Sequence, residues 1–172
     1  HIVAMEEISR ASASGALSYG AHSNLCVNQI ARNGNEAQKQ KYLPQMASGA
    51  MVGAIAMSEP AAGSDLQGIK TTAIKSADGS HYVLNGSKTF ITNGWHADLV
   101  IVVAKTDPAA GAKGTSLLLV ERGMPGFEKG QRLKKMGMKA QDTSELFFND
   151  VQVPVDNLLG GPAMEGRGSV SY

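Results

Sequence analysis

The stretch AMSEPAAGSDLQG (Ala56–Gly68) determines the interpretation of this 172-residue chain. It places a hydroxyl, two acids and a proline directly after the apolar run MVGAIAM (Met51–Met57), which is typical of a buried strand. Glycine followed by serine and aspartate at 63–65 lets the backbone approach a bulky anionic group, with the hydroxyl and N–H groups as donors. An ordinary polar surface turn uses the same residue types, so spacing alone leaves both interpretations open.

The composition is that of an ordinary globular protein. Hydrophobic residues make up 42% and charged residues 18%, which excludes the profile of a disordered chain. A formal net charge of +1, without basic runs interleaved with aromatics, argues against a nucleic-acid partner. No apolar stretch reaches the roughly 20 residues that a membrane helix needs. With the single cysteine Cys26 and four scattered histidines, we expect a reducing compartment and no metal site.

The first fifty residues carry helical patterns. Apolar residues recur at helical spacing between Ile2 and Ala11, which predicts one amphipathic helix. Asn24 is expected to cap a second short helix. A third helix is expected after Asn35, because Gln38 follows three residues later in a capping-box pattern.

From Met51 onward the patterns change to those of strands. The pair Asn85-Gly86 lies between two strand-like runs and predicts a hairpin with a type I′ turn. Two continuously apolar runs, 98–104 and 115–120, predict strands that pass through the core. The runs 146–148 and 151–153 predict a last hairpin.

These patterns predict an α+β fold in which short helices are followed by an antiparallel β barrel or sandwich. We expect the helical part to span residues 1–49 and the β domain to span 50–157. The glycine-rich residues that follow, 158–172, are expected to connect this chain to a further domain.

The quoted stretch resembles, position by position, the signature loop of the acyl-CoA dehydrogenase family, in which Ser or Thr precedes Glu and Gly-Ser-Asp follows. The segments TFITNG (89–94) and KMGMKAQDTSELFF (135–148) resemble the same family at matching distances. Two other segments, SYGAHSNLC (18–26) and GMPGF (123–127), are most similar to its isovaleryl-CoA branch. The resemblance extends from about Ile2 to about Gly168, which identifies the chain as a fragment of such a protein.

The resemblance implies FAD-dependent α,β-dehydrogenation of a short branched acyl-CoA. The expected reaction converts isovaleryl-CoA to 3-methylcrotonyl-CoA in leucine degradation and passes electrons to electron-transfer flavoprotein. Because no amino-acid side chain accepts a hydride, a flavin is needed. The family also implies a homotetramer in the bacterial cytoplasm or mitochondrial matrix. Two alternatives stay open: an acyl-CoA oxidase or flavin monooxygenase of the same superfamily, and a non-catalytic β domain that serves in binding.

By motif position, the resemblance assigns three residues to the flavin ring. Thr92 is expected to donate to flavin N5, Ser58 to donate toward the N1–O2 edge, and Phe90 to cover one face, where many members carry Trp. Ser64 and the backbone at Gly63 are expected to face the pyrophosphate and the acyl-CoA entry. The predicted cofactor-binding set is Ile55, Ala56, Met57, Ser58, Gly63, Ser64, Phe90, Ile91 and Thr92.

The resemblance implies substrate contacts from Ser64 and Lys113. For Lys113 the favoured interpretation is nevertheless a solvated loop lysine, because its loop is shorter than in relatives. Glu59 and Asp65 are expected to shape the signature loop rather than act as an acid/base pair. The resemblance puts the catalytic base on a helix beyond Tyr172. We therefore expect this chain alone to be inactive, with Glu165 only a connector residue.

Overall fold

The computed structural model describes residues 1–167, and its N-terminal part is helical. The helices are α1 (Ile2–Ala11), α2 (Ala13–Gly20), α3 (Asn28–Asn33) and α4 (Glu36–Ala47), with a π-helical turn (Ala21–Val27) joining α2 to α3. The predicted start of a helix at Asn24 is wrong, because Asn24 lies inside the π-helical turn. The residue that caps this helical run is Ser12, whose Oγ accepts a hydrogen bond from the Gly15 N–H at 3.1 Å.

The capping box at the start of α4 is confirmed. Asn35 Oδ1 accepts from the Gln38 N–H at 2.9 Å, and Gln38 Oε1 accepts from the Asn35 N–H at 3.2 Å. These two bonds satisfy N–H groups that have no partner within the helix.

The rest of the chain forms one seven-stranded sheet. Its strands are β1 (Gly53–Ala56), β2 (Thr72–Lys75), β3 (His81–Thr92), β4 (Leu99–Lys105), β5 (Thr115–Glu121), β6 (Phe127–Arg132) and β7 (Thr143–Pro154). The strand order is β1-β4-β2-β3-β7-β6, and β5 pairs with β4. Short 3₁₀ turns occur at Leu66–Gly68, Pro108–Gly114, Val155–Asn157 and Pro162–Met164.

The predicted fold class, short helices followed by a β barrel or sandwich, is confirmed. The sheet is mixed, however, and not purely antiparallel as expected. Four strand pairs are antiparallel, whereas β4 runs parallel to both β1 and β2. The sheet curls, so that residues from β1 to β5 and from β7 share one core cluster.

The strands β1, β4 and β5 are buried on both faces, which confirms the prediction made from their continuous apolar runs. One face contributes residues such as Val100 and Leu118 to the core inside the curled sheet. The opposite face contributes Ile101 and Leu119 to a second core beneath the helices, together with Cys26. Burial raises the pKa of the Cys26 thiol to about 12.

The two predicted hairpins at Asn85-Gly86 and within 146–153 are both wrong, because β3 and β7 are single long strands that pair with each other. A bulge interrupts their register there, and Asn85 and Asp150 exchange two hydrogen bonds of 2.9 Å across it. Gly86 is required for close approach, since a Cβ at this position would lie 2.4 Å from Thr71 Oγ1. The sequence pattern of a turn here marks a β-bulge instead.

The segment after β7 packs against the domain. Leu158 and Leu159 are buried, and the Leu159 N–H donates to the Leu117 carbonyl at 2.9 Å. The predicted boundaries at 49/50 and 157/158 stay predictions. The last part of the predicted connector, 168–172, lies outside the described residues.

Candidate functional site

A pocket of about 120 Å³ opens where the end of β1 meets the end of β3. Among the residues predicted from sequence, six line it: Ile55, Met57, Ser58, Phe90, Ile91 and Thr92. Ala56 faces the opposite side and belongs to the core inside the curled sheet. The structure therefore brings together residues that are up to 37 positions apart in the chain.

Two hydroxyl groups on this pocket are available to a ligand. Ser58 and Thr92 are both half-buried, and neither side chain is hydrogen-bonded to another residue in the described part of the chain. The Ser58 carbonyl is engaged, because it accepts from the Thr89 N–H at 2.9 Å. Ser58 is thus fixed through its backbone while its hydroxyl stays available.

Phe90 lies at the mouth of the pocket on a β-bulge. Lys88 pairs with Leu146 and Ile91 with Ser144, which leaves two residues of β3 opposite one residue of β7. Phe90 has a φ of 57°, which is unusual for an aromatic residue, and its side chain is 69% exposed. The bulge turns this ring toward solvent beside the two hydroxyls.

The pocket is closed on its other side by the π-helical turn, which supplies Ala21 and Leu25. Sequence reasoning missed these two residues as pocket residues. The segment 18–26 carried a family resemblance, but neither its hydropathy nor its spacing distinguishes a π-helical turn from a regular helix. π-Helical turns are often found at functional sites.

His22 anchors the same turn. The Gly53 N–H donates to His22 Nδ1 at 3.0 Å, so Nε2 carries the proton that is shared with the Met46 carbonyl at 3.1 Å. Both ring nitrogens are therefore used to join the helices to the start of β1. The role of His22 is to hold the turn against the sheet.

The signature loop is held at its base by a buried ion pair, Glu59 with Lys88, at 2.9 Å. Glu59 also accepts from the Lys70 N–H at 2.6 Å and from the Thr71 N–H at 3.0 Å. Burial alone would raise the pKa of the Glu59 carboxyl, but these hydrogen bonds and Lys88 outweigh it and hold that pKa below its ordinary value. Burial lowers the pKa of the Lys88 ammonium, and Glu59 offsets only part of this effect.

Asp65 has a local role as well, since its carboxylate accepts from the Gln67 N–H at 3.1 Å at the start of a 3₁₀ turn. Both acids of the signature stretch therefore bind backbone of their own loop. This is the loop-shaping role expected of them, and neither lines the pocket.

Three predicted site residues lie away from the pocket. Gly63 and Ser64 are exposed on the signature loop, and a Cβ at Gly63 would meet open space. Lys113 is exposed in the 3₁₀ segment before β5 and lines none of the cavities described here. The structure does not bring these residues together with Ser58 and Thr92.

Two larger spaces lie outside this pocket. A groove of about 890 Å³ runs between α3 and the signature loop, and it shares Leu25 and Met57 with the pocket. A cavity of about 530 Å³ near β6 is lined by several cations, among them Arg132, Lys134 and Lys139. Among residues 1–167, no cluster of three or more His, Cys, Asp or Glu side chains could hold a metal ion. No helix in that range is long and apolar enough to span a membrane.

The pocket suits part of a flat, uncharged ring system better than a whole ligand. Drug-sized ligands usually fill 300–1,000 Å³, so a three-ring molecule would lie across the mouth of the pocket, against Phe90. Hydroxyl donors and an exposed aromatic ring match the edge and face of a flavin. The described lining holds no carboxylate.

Two family profiles match this chain. Residues 1–50 match "Acyl-CoA dehydrogenase, N-terminal domain", and residues 54–151 match "Acyl-CoA dehydrogenase, middle domain".

Curated relatives include two mitochondrial enzymes. An isovaleryl-CoA dehydrogenase of Pongo abelii is 57% identical over 162 residues, which cover 93% of this chain and 38% of that protein. A long-chain specific acyl-CoA dehydrogenase of Mus musculus is 58% identical over 144 residues, which cover 83% of this chain and 33% of that protein. The chain thus spans less than two fifths of the length of these two relatives.

Solved structures share the fold at high similarity. An acyl-CoA dehydrogenase from Geobacillus kaustophilus superposes with a TM-score of 0.89 at 51% identity, covering 95% of this chain and 42% of that one. An acyl-CoA dehydrogenase from Bacillus anthracis, solved in complex with FAD, superposes with a TM-score of 0.86 at 43% identity, covering 96% and 28%.

Proposed function

The chain belongs to the acyl-CoA dehydrogenase family, and from this we propose that it carries the flavin-ring site of an enzyme that dehydrogenates a short branched acyl-CoA. The observation that carries the proposal is the pocket where two available hydroxyls meet an exposed aromatic ring: Ser58, Thr92 and Phe90. The cofactor is proposed to be FAD, which supplies the hydride acceptor that no side chain provides.

Each of the three residues has a distinct proposed role. Thr92 donates to flavin N5, and Ser58 donates toward the N1–O2 edge, where negative charge accumulates on reduction. Hydroxyls that are fixed in advance toward developing charge stabilise it without reorganisation. Phe90 packs against the ring face, as aromatic pairs do in offset-stacked arrangements.

The three predicted site residues that lie away from the pocket are proposed to contact parts of the ligands other than the flavin ring. Ser64 and the backbone at Gly63 are exposed and free to approach the pyrophosphate or the acyl-CoA entry. Lys113 is proposed as a contact for the acyl-CoA, with its exposed position leaving it accessible to an anionic ligand.

The α-proton is proposed to leave to a base that another part of the full-length protein supplies. The described pocket lining contains no carboxylate, and a base must lie within hydrogen-bond reach of the proton it takes. Glu165, the last acid of the chain, forms an ion pair with Lys75 at 3.1 Å instead. The chain by itself is therefore proposed to bind flavin weakly and to catalyse nothing.

The substrate and partners are proposed from the relatives. We propose isovaleryl-CoA as the substrate, because an isovaleryl-CoA dehydrogenase matches 93% of the chain. The match to a long-chain specific enzyme makes octanoyl-CoA and longer thioesters the comparison substrates. Electron-transfer flavoprotein is the proposed acceptor and a homotetramer the proposed assembly. The proposed location is the mitochondrial matrix or the bacterial cytoplasm.

The experiment uses a full-length protein that contains this sequence. We expect it to purify yellow and to reduce an artificial dye faster with isovaleryl-CoA than with octanoyl-CoA. Thr92→Val should slow flavin reduction more than it weakens substrate binding, because the lost hydrogen bond is to the ring. A reduction rate that is unchanged in Thr92→Val would contradict the role of Thr92.

The same protein separates the alternatives. Consumption of oxygen in preference to dye would indicate an oxidase or monooxygenase. A colourless preparation that binds no added FAD would indicate a non-catalytic β domain. Turnover by the 172-residue chain equal to that of the full-length protein would show that the base lies within this sequence.

A further inference from the structure

The buried ion pair between Lys88 and Glu59 lies directly behind the pocket. The side chains are 0% and 6% exposed, so both charges are removed from water. Such a pair is costly to bury and is weak evidence for stability by itself. Its location relative to the three pocket residues therefore needs an explanation.

Lys88 contacts the residues on both sides of Ser58. Its ammonium donates to the Met57 carbonyl at 2.9 Å and to Glu59 Oε1 at 2.9 Å. The next residue of β3, Thr89, donates its N–H to the Ser58 carbonyl at 2.9 Å. The three residues that directly follow β1 are thus hydrogen-bonded to two consecutive residues of β3.

The same short stretch of β3 carries the other two pocket residues. Phe90 and Thr92 lie two and four positions after Lys88, on the bulged end of the strand. Because Lys88 ties that strand to Met57 and Glu59, it fixes how the Ser58 hydroxyl is placed relative to the ring of Phe90 and the hydroxyl of Thr92.

Glu59 performs a second task from the same position. Its carboxylate accepts from the N–H groups of Lys70 and Thr71, and its backbone exchanges two hydrogen bonds with Ala62. These contacts join the two ends of the loop 60–69, which carries Ser64. The loop and the pocket are therefore connected through one carboxylate.

We propose that Lys88 and Glu59 are positioning residues for the flavin, and that this ion pair sets both the geometry of the pocket and the closed form of the signature loop. The proposal rests on the proposed function for its ligand. Neither residue lines the pocket, so both act through Ser58 and through the loop.

A purely structural role predicts something different. If the pair only balances charge, a variant that removes both charges restores the native behaviour. If the pair positions the site, the uncharged variant folds but still binds flavin poorly. The Met57 carbonyl then has no ammonium donor, and the single oxygen of glutamine cannot replace both carboxylate oxygens that accept from Lys70 and Thr71.

The test uses a full-length protein that contains this sequence and three variants of it: Lys88→Met, the double variant Lys88→Met/Glu59→Gln, and the control Lys39→Met/Glu36→Gln. The control removes an exposed ion pair of α4 at 3.1 Å. FAD affinity is measured by fluorescence quenching, the bound flavin by its visible spectrum, and loop closure by amide hydrogen exchange at Lys70 and Thr71. Circular dichroism establishes that each variant is folded.

We expect the double variant to bind FAD about tenfold more weakly than the unmodified protein, by analogy with the loss of outer-shell partners at metal sites. Its bound flavin should have a shifted spectrum, and the amides of Lys70 and Thr71 should exchange faster. The control should match the unmodified protein in all three measurements.

A folded double variant with native FAD affinity, spectrum and exchange would overturn the positioning proposal. An unmodified full-length protein that binds no FAD would count against the proposed function instead. In that case the exchange rates of Lys70 and Thr71 still decide the matter, because unchanged rates in the double variant would show that Glu59 does not close the loop.

Discussion

Phe90 combines an exposed aromatic ring with a left-handed backbone, a combination that folding alone does not favour. A φ of 57° costs a non-glycine residue roughly 1–2 kcal/mol. The ring is 69% exposed, so little burial offsets that cost. Strain of this kind is often found where a ligand is held. The residue type is explained if the ring packs against a bound ligand.

Replacing Phe90 separates these two effects. We expect the Phe90→Gly variant to be more stable than the Phe90→Ala variant. Its free energy of unfolding should be about 1 kcal/mol higher, because glycine adopts positive φ without a Cβ penalty. Both variants should bind FAD more weakly, since both lose the ring. Urea denaturation and FAD titration measure the two quantities. Equal stability of the glycine and alanine variants would show that the backbone at position 90 is not strained.

Glu59 makes stability depend on pH in the acid range. Its folded pKa lies below its unfolded value, so the carboxylate stabilises the fold above the unfolded pKa, and this stabilisation is lost as pH falls through the folded pKa. We therefore expect the free energy of unfolding to fall from pH 6 to pH 3, and to fall less steeply in Glu59→Gln. The matched control is Glu128→Gln, which removes an exposed carboxylate. Identical slopes in the two variants would exclude this role for Glu59.

Residue types predicted the site better than they predicted its backbone. Ser58, Phe90 and Thr92 could be selected because short, specific motifs surround them. The bulge that turns Phe90 outward could not, because it depends on how β3 pairs with β7, some fifty residues further along the chain. Local sequence carries little information about such a long-range register.

At the scale of elements, Gln38 joins α4 to the segment after β7. Its amide donates to the carbonyls of Asp156 and Leu158, both at 2.8 Å, and its Oε1 accepts from the Gly160 N–H at 3.0 Å. The side chain is buried, so its loss would leave backbone groups without partners. One side chain thus joins α4 to three residues of the segment after β7.

We expect Gln38→Met to lower the free energy of unfolding by about 2–3 kcal/mol, since methionine keeps the length but none of the hydrogen bonds. Gln40→Met changes an exposed residue of the same helix and should have little effect. Urea denaturation gives the stability, and hydrogen exchange at Gly160 gives the local effect. A Gln38 variant as stable as the Gln40 variant would contradict this account.

Elements differed in how well the sequence predicted them. The strands β4 and β5 were predictable because continuous apolar runs require burial on both faces, which the two cores provide. The hairpin predicted at Asn85-Gly86 was wrong because the residues that suit a type I′ turn also suit a bulge. The choice between them depends on Asp150 and Thr71, which are distant in sequence.

In the folded chain, the candidate site lies where the helical part meets the sheet. The sheet supplies hydroxyls and an aromatic ring, and the π-helical turn supplies Ala21 and Leu25. Four positive side chains, Arg132, Lys134, Lys135 and Lys139, line a different cavity. That cavity would attract an anionic group, whereas the flavin ring is proposed to lie in the uncharged pocket at Ser58, Phe90 and Thr92.

Mapping where flavin binds tests the proposed ring site. Amide chemical shifts of the ¹⁵N-labelled chain are followed during titration with FAD, and with ADP as the ligand that lacks the flavin ring. We expect saturable changes with FAD at Leu25, Ser58 and Phe90–Thr92, and none there with ADP. Changes confined to Arg132–Thr143, or identical for the two ligands, would contradict it.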